Sequence, residues 1–203
     1  TRKNNIVLTA KNFTEKFIET SISTQPKIHL DEEVIERVKE KYNFNKNFKH
    51  ICIGFSASGI TKRWYIENYI KLAEEINNKI PCKFYLAGGR NDYDLFEKFL
   101  NSSIANNCIS FRDLSIQEAL PIIKNCNIYI GNDTGWMHIS SALNVKTLAL
   151  FMDSPVMAYG KYSKNIFTIV PDGETEESTT HDTLGKEKIS FEKVYSKSIE
   201  LLS

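Results

Sequence analysis

Short apolar runs alternate with amphipathic stretches from about residue 48 to the end of the chain. The runs are rich in β-branched and aromatic side chains, which is typical of buried strands. They cover residues 50–55, 83–87, 108–111, 127–131, 146–151 and 166–170. Between and after them, apolar positions recur at helical spacing over residues 65–79, 92–100, 115–125 and 191–202, and another helix is expected to begin near Gly135. Strands that alternate with helices predict an α/β fold with a doubly wound parallel sheet.

The first 47 residues do not follow this rhythm. Residues 6–8 suggest a short strand, and Phe13, Phe17 and Ile18 suggest one side of a short helix. Residues 31–42 have the charged amphipathic pattern of a helix that leads into the sheet. We therefore expect residues 1–47 to be the tail of a preceding domain with a connecting helix, and residues 48–203 to form a Rossmann-like domain.

Composition and charge argue against several classes of protein. The 203 residues carry 26 Lys and Arg against 25 Asp and Glu, a balance that argues against broad electrostatic binding of nucleic acid. No apolar run approaches the roughly 20 residues that span a bilayer, and the first residues do not resemble a signal peptide. The four cysteines form no C-x-x-C pair, so the sequence indicates neither a zinc site nor a redox motif, and we expect reduced thiols in the cytoplasm.

Small, hydroxyl-bearing and basic residues follow the first predicted strand. In open α/β sheets, ligands bind beyond the carboxyl ends of the strands, where the strand order reverses. Ser56, Ala57 and Ser58 would let an anion approach the backbone there. Lys62 and Arg63 would supply positive charge for a phosphate. The segment has neither Walker nor G-x-G-x-x-G spacing, so an ordinary turn with surface cations is an alternative.

A second candidate segment follows the fourth predicted strand, where the strand runs directly into a helix. The free amides near Thr134 and Gly135 would attract an anion at this helix start. His138 lies one turn further on, on the same side as Thr134. Plain capping of the helix by Asp133 or Thr134, with a structural His138, explains the same residues.

Three stretches carry a resemblance to a known family. Residues 132–143 contain Asp-Thr-Gly-Trp-Met-His followed by small residues, residues 54–64 contain Gly-Phe-Ser-Ala-Ser and Lys-Arg-Trp, and residues 86–92 contain Gly-Gly-Arg-Asn-Asp. They resemble the D-[ST]-G-x-x-H, G-A-S…K-x-W and G-G-x-x-[ED] motifs of glycosyltransferase family 9, the ADP-heptose lipopolysaccharide heptosyltransferases. The resemblance covers about residues 26–203, and the first motif is its most specific part.

The resemblance implies the C-terminal, donor-binding half of a GT-B glycosyltransferase, with residues 48–203 binding a nucleotide sugar. Ser56, Ser58 and Lys62 would hold its diphosphate, and the backbone amides of Thr134 and Gly135 would bind phosphate. The donor-binding residues that it implies are Ser56, Ala57, Ser58, Lys62, Asp92, Asp133, Thr134, Gly135 and His138.

Carboxylates and a histidine complete this set. Asp133 would accept hydrogen bonds from sugar hydroxyls, since an anion is a poor neighbour for phosphate. Asp92 stands where the family often has a glutamate that faces the ribose, and His138 would lie near the sugar–phosphate junction. No metal-binding pair of carboxylates is evident in the sequence, so we expect no metal and no cofactor. The donor substrate would be ADP-heptose or a related nucleotide sugar.

The sequence also departs from the family. Phe55 separates Gly54 from the serines, and residues 151–155 read Phe-Met-Asp-Ser-Pro where the family tends to have Gly-Pro-Thr. The family's catalytic base, an aspartate early in its first domain, has no counterpart, so the catalytic residue is unknown.

The match implies transfer of the donor sugar, with inversion, to a lipopolysaccharide core acceptor. The acceptor would be bound via an N-terminal domain that is missing here. It places the protein in the cytoplasm, with the cytoplasmic face of the inner membrane as the site of transfer. Half of a sugar-nucleotide epimerase and a catalytically silent nucleotide-binding domain are alternatives, because one fold hosts many functions.

Overall fold

A six-stranded parallel sheet forms the centre of the computed structural model, which describes residues 5–203. Its strands are β1 (Lys49–Gly54), β2 (Cys82–Ala87), β3 (Cys108–Ser110), β4 (Ile128–Asn132), β5 (Lys146–Leu150) and β6 (Ile166–Ile169). Their order is β3-β2-β1-β4-β5-β6, and every neighbouring pair is parallel. The predicted doubly wound parallel sheet is confirmed.

Helices connect and cover the strands. They are α1 (Ile6–Ile18), α2 (Glu32–Lys41), α3 (Ile66–Lys79), α4 (Tyr93–Leu100), α5 (Ile116–Lys124), α6 (Gly135–Ala142), α7 (Val156–Tyr159) and α8 (Phe191–Leu202). The start of α5 illustrates local control by sequence, because Ser115 and Glu118 form a reciprocal capping box there. None of these helices is long and apolar enough to cross a membrane.

The two faces of the sheet are buried in separate apolar layers. Alternate residues of β1 divide between them: Ile51 and Ile53 pack with α3, α4 and α8, whereas Cys52 packs on the opposite face with residues of α5 and α6. Strands that are buried on both faces need apolar side chains at successive positions. This explains why the sequence shows continuous apolar runs and no polar–apolar alternation.

The expectation of a strand at residues 6–8 is wrong. These residues open helix α1, which Asn5 caps by accepting a hydrogen bond from the Leu8 amide at 3.0 Å. The expected connecting helix is present as α2, and Asn125 of the α5 end donates a side-chain hydrogen bond to the Ile35 carbonyl. The division of the chain at residue 47 stays a prediction, and residues 1–4 lie outside the described part.

Candidate functional site

The strand order reverses between β1 and β4, and both segments singled out in the sequence begin there. Gly54 and Gly131 are register partners at this point. A Cβ on Gly131 would lie 2.4 Å from the Gly54 carbonyl oxygen, and one on Gly54 would lie 2.0 Å from the Tyr129 hydroxyl oxygen. Only glycine fits at both positions, so the close packing of the two strand ends depends on these residues.

The side chain of Asn132, at the end of β4, joins the two segments. It is completely buried and uses both ends of its amide. The nitrogen donates to the carbonyl oxygens of Phe55 (2.9 Å) and Ser56 (3.2 Å). The oxygen accepts from the Trp64 amide (3.2 Å) and the Tyr69 hydroxyl (2.8 Å). Asn132 therefore fixes the start of the 56–64 segment and its end to the same strand.

A cavity of about 730 Å³, which we call the switch-point cavity, opens beyond these strand ends. One part of it is polar and is lined by Ser56, Ala57, Ser58, Asp133, Thr134 and Gly135. The other part carries the apolar side chains of the lining, and the polar residues Arg90, Arg112, Ser115 and Gln117 line the cavity as well. The apolar residues are Phe111, Leu114, Ile116, Trp136 and Ile139. The structure thus brings six of the nine residues named from the sequence to one cavity, while Lys62, Asp92 and His138 are not among those that line it.

The two parts differ in what they can bind. In the polar part, helix α6 begins at Gly135, and the Thr134 side chain makes no capping hydrogen bond to it. The amides of this helix start and the hydroxyls of Ser56 and Ser58 suit an anion. In the apolar part, the rings of Phe111 and Trp136 lie 6.2 Å apart between centroids and suit a flat aromatic group.

Arg63, which the sequence suggested as a positive charge for a phosphate, is engaged by groups of the chain itself. Its Nη2 donates to the Ala57 carbonyl at 2.8 Å and lies 3.1 Å from Asp92 Oδ1. The Asp92 side chain is only 6% exposed, and its Oδ2 accepts from the Gly89 amide at 2.7 Å. Both carboxylate oxygens of Asp92 are therefore engaged beneath the cavity. The pair ties the turn after β2 to the turn after β1.

Lys62 lies on the β5 side of the cavity, where its charge acts on Asp153. Burial alone would raise the pKa of Asp153, but hydrogen bonds and the charge of Lys62 lower it below its usual value. The Leu184 amide donates to Asp153 Oδ1 at 3.0 Å, and Thr61 and Asp182 also lower the pKa of this carboxyl. Asp153 belongs to the segment that departs from the family pattern, and it provides Lys62 with an anionic neighbour within the chain.

His138 lines a separate, mostly apolar cavity of about 440 Å³ between α1 and α6, which we call the helix cavity. Its Nε2 lies 4.0 Å from Asp133 Oδ1, so Asp133 stands between the two cavities. Burial lowers the pKa of His138, an effect that the charge of Asp133 only partly offsets. The imidazole is therefore neutral at physiological pH.

Comparison with known proteins places this site in a family. The model of glycosyltransferase family 9 (heptosyltransferase) matches residues 2–188. The chain belongs to glycosyltransferase family 9. It is 26% identical over 156 residues to lipopolysaccharide heptosyltransferase 1 of Campylobacter coli, a match that covers 75% of this chain and 45% of that protein. It is 31% identical over 97 residues to lipooligosaccharide heptosyltransferase 2 of Haemophilus influenzae, covering 46% of this chain and 28% of that protein.

Solved structures agree on the fold of this family-9 chain. A glycosyl transferase family 9 protein from Veillonella parvula superposes with a TM-score of 0.83 at 19% identity, covering all of this chain and 61% of that one. ADP-heptose LPS heptosyltransferase II of E. coli gives 0.71 at 22% identity, covering 87% and 53%. The chain thus spans about half the length, or less, of the curated relatives it matches.

Sequence reasoning missed three residues of this family-9 site. Asn132 was part of the quoted motif but received no role, although its buried side chain makes four hydrogen bonds. Trp136 and Phe111 supply the aromatic part of the cavity, and they come from different strand ends. An aromatic residue directly after the Asp-Thr-Gly segment was a usable signal for Trp136. For Phe111 the sequence offers no such signal, because only the strand order brings it to the cavity.

Proposed function

We propose that this family-9 chain is the donor-binding half of a heptosyltransferase-like glycosyltransferase of the GT-B arrangement. The single observation that carries the proposal is that the switch-point cavity combines the serines and the helix start after β1 and β4 with the aromatic pair Phe111 and Trp136. A nucleotide diphosphate sugar has the same division, with a flat base at one end and a charged diphosphate followed by a sugar at the other. The curated relatives are named heptosyltransferases, and the name of the E. coli ADP-heptose LPS heptosyltransferase II favours ADP-heptose as the donor.

In this proposal the base lies against Trp136 and Phe111, and the diphosphate reaches the start of α6. Ser56 and Ser58 donate hydroxyl hydrogen bonds to phosphate oxygens, together with the first amides of α6. These donors stabilise the negative charge that develops on the leaving diphosphate as the glycosidic bond breaks. Lys62 adds positive charge once it turns from Asp153 towards the phosphates, and Asp133 accepts a hydrogen bond from a sugar hydroxyl.

The acceptor side of the reaction lies outside this chain. Inverting transfer needs a base that takes the proton of the acceptor hydroxyl on the face opposite the leaving group. We propose that a further domain of the whole protein supplies this base and binds the lipopolysaccharide core acceptor. Transfer would then occur in the cytoplasm, at the inner face of the membrane that carries the acceptor. None of the reported relatives is an epimerase, so the epimerase alternative gains no support.

Calorimetric titration of the chain with ADP, ADP-heptose and UDP tests the proposal. We expect ADP and ADP-heptose to bind and UDP to bind more weakly. Trp136→Ala should weaken ADP by about tenfold, because stacking of a base on an aromatic side chain contributes about 1–3 kcal/mol. Tyr159→Phe, in the helix cavity, is the matched control and should bind ADP like the wild type. Absence of ADP binding, or equal binding by Trp136→Ala, would refute the proposal.

A transfer assay tests the division of labour between domains. The chain alone, mixed with ADP-heptose and heptose-free lipopolysaccharide, should give no transfer, because the proposed base and acceptor site belong to another domain. Turnover by this chain would show that it contains a complete active site and that the donor-half assignment is incorrect.

A further inference from the structure

A chain of hydrogen bonds lies behind the Asp-Thr-Gly-x-x-His motif. Ser154, which is 1% exposed, donates from its hydroxyl to Asp133 Oδ2 at 2.6 Å. This contact occupies one carboxylate oxygen of Asp133 and leaves Oδ1 facing His138 Nε2, 4.0 Å away. The gap is too long for a direct hydrogen bond. It leaves the His138 Nε2 position, on a side chain that is 41% exposed, open to an oxygen of a ligand.

Tyr162 occupies the other nitrogen of the same imidazole. Its hydroxyl is hydrogen-bonded to His138 Nδ1, and the two rings are stacked with centroids 5.6 Å apart. The tyrosine itself is held in place from two sides. Thr24 donates to the Tyr162 carbonyl at 3.0 Å, and Ser141 of α6 donates to the next residue, Ser163, at 2.7 Å. Tyr162 is thus a buried and fixed partner of His138.

The Asp133 carboxylate favours one tautomer of the His138 imidazole, and the Tyr162 hydroxyl matches it. Burial, followed by the charge of Asp133, raises the pKa of Tyr162 to about 12, so its hydroxyl keeps its proton at neutral pH. If that hydroxyl donates to Nδ1, the imidazole proton is on Nε2 and points towards the Asp133 carboxylate. In the opposite tautomer, the Nε2 lone pair would face the carboxylate oxygen, which is electrostatically unfavourable. The carboxylate therefore favours a proton on Nε2, and the Tyr162 hydroxyl stabilises that tautomer by donating to Nδ1.

We infer that Tyr162 is a positioning residue that holds His138 as the Nε2–H tautomer, so that the motif offers an N–H donor beside the Asp133 carboxylate. The natural ligand of this pair is a group that carries both an acceptor and a hydroxyl. A sugar joined to a phosphate is such a group, because the phosphate oxygen accepts from Nε2–H while a sugar hydroxyl donates to Asp133. The inference has two parts. Its ligand half, which concerns the group bound by His138 and Asp133, rests on the proposed function, whereas the part that concerns the tautomer of His138 does not depend on that function.

Long-range ¹H–¹⁵N NMR of the histidine side chains reads the tautomer directly. The chain has four histidines, and His138→Gln assigns the His138 signals. The wild type should show a protonated Nε2 and an unprotonated Nδ1 at neutral pH. Tyr162→Phe should convert His138 into a mixture of both tautomers, while the matched control Tyr159→Phe should leave it unchanged. A proton on Nδ1 in the wild type, or an unaltered tautomer in Tyr162→Phe, would overturn the inference.

ADP titrations test the ligand half. Tyr162→Phe should weaken ADP by about three- to tenfold, the change that one net hydrogen bond produces. In the His138→Gln background, the same substitution should have no further effect, because its partner is gone. Equal affinities of the wild type and Tyr162→Phe, or full additivity of the two substitutions, would overturn the ligand half. Failure of the wild type to bind ADP would instead refute the proposed function, and the tautomer would still be decided by NMR.

Discussion

Arg63→Ala tests whether the turn after β1 is held by the Arg63–Asp92 pair. The substitution removes the donor to the Ala57 carbonyl and the partner of Asp92 Oδ1. Asp92 then keeps only the Gly89 amide for a carboxylate that is 6% exposed. Breaking a fully buried ion pair costs about 3–5 kcal/mol, whereas an exposed pair contributes about 0–1 kcal/mol. Because the Arg63 side chain is 31% exposed, we expect the free energy of unfolding to fall by about 2–3 kcal/mol.

Urea unfolding followed by circular dichroism measures this change, and a second variant identifies its cause. Arg63→Ala combined with Asp92→Asn should recover part of the lost stability, since the double variant no longer buries an unpaired carboxylate. ADP affinity of Arg63→Ala should fall by about three- to tenfold, because the loop keeps its Asn132 tether but loses the arginine. A change in unfolding free energy below about 0.5 kcal/mol, with no recovery in the double variant, would show that the pair does not support the site.

Three further outcomes follow from the same structure. Lys62→Ala should lower ADP affinity by about tenfold with little change in urea midpoint, whereas an equal loss for any neighbouring surface cation would indicate diffuse attraction. Asn132→Ala should lower the unfolding free energy by about 3–5 kcal/mol, because three buried hydrogen bonds and one partly buried one lose their partner, and a midpoint like that of the wild type would contradict this role. Burial lowers the pKa of His50, an effect that the Asn45 carbonyl partly offsets, so the unfolded chain binds the proton more readily. The contribution of neutral His50 to the free energy of unfolding should therefore be fully present above pH 6.5 and be lost as the pH drops below it. Unfolding curves of His50→Gln should show a flatter pH profile.

The sequence by itself determined the local elements and the family. Each of the six apolar runs is a strand, the Ser115–Glu118 capping box is present, and the final helix covers Phe191–Leu202 as expected. These features depend on neighbours a few residues apart, which is the range over which periodicity and capping act. The family followed from short motifs such as Asp-Thr-Gly-x-x-His, whose spacing is preserved within a single strand–helix turn.

The roles of the charged side chains were decided by the tertiary structure. Lys62 and Arg63 are adjacent and both basic, yet Arg63 binds Ala57 and Asp92 while Lys62 lies near Asp153. Which cation lies towards which loop depends on residues about 30 and 90 positions away in the chain, and no local pattern carries that information. Asp92 likewise matches a motif in sequence, but its carboxylate is engaged by Gly89 and Arg63 beneath the cavity.

The strand order also depends on the whole fold. The pattern of apolar runs is compatible with several orders, and only the packed sheet places the ends of β1, β3 and β4 around one cavity. Phe111 and Trp136 meet there although they are 25 residues apart, and Tyr162 reaches His138 from beyond β5. The start of helix α1 was mistaken for a strand because three apolar residues in succession are compatible with either element. The Asn5 cap and the packing of Val7 against the core stabilise the helix. The sequence identifies which single residues have suitable chemistry, whereas their assembly into a site requires contacts between distant parts of the chain.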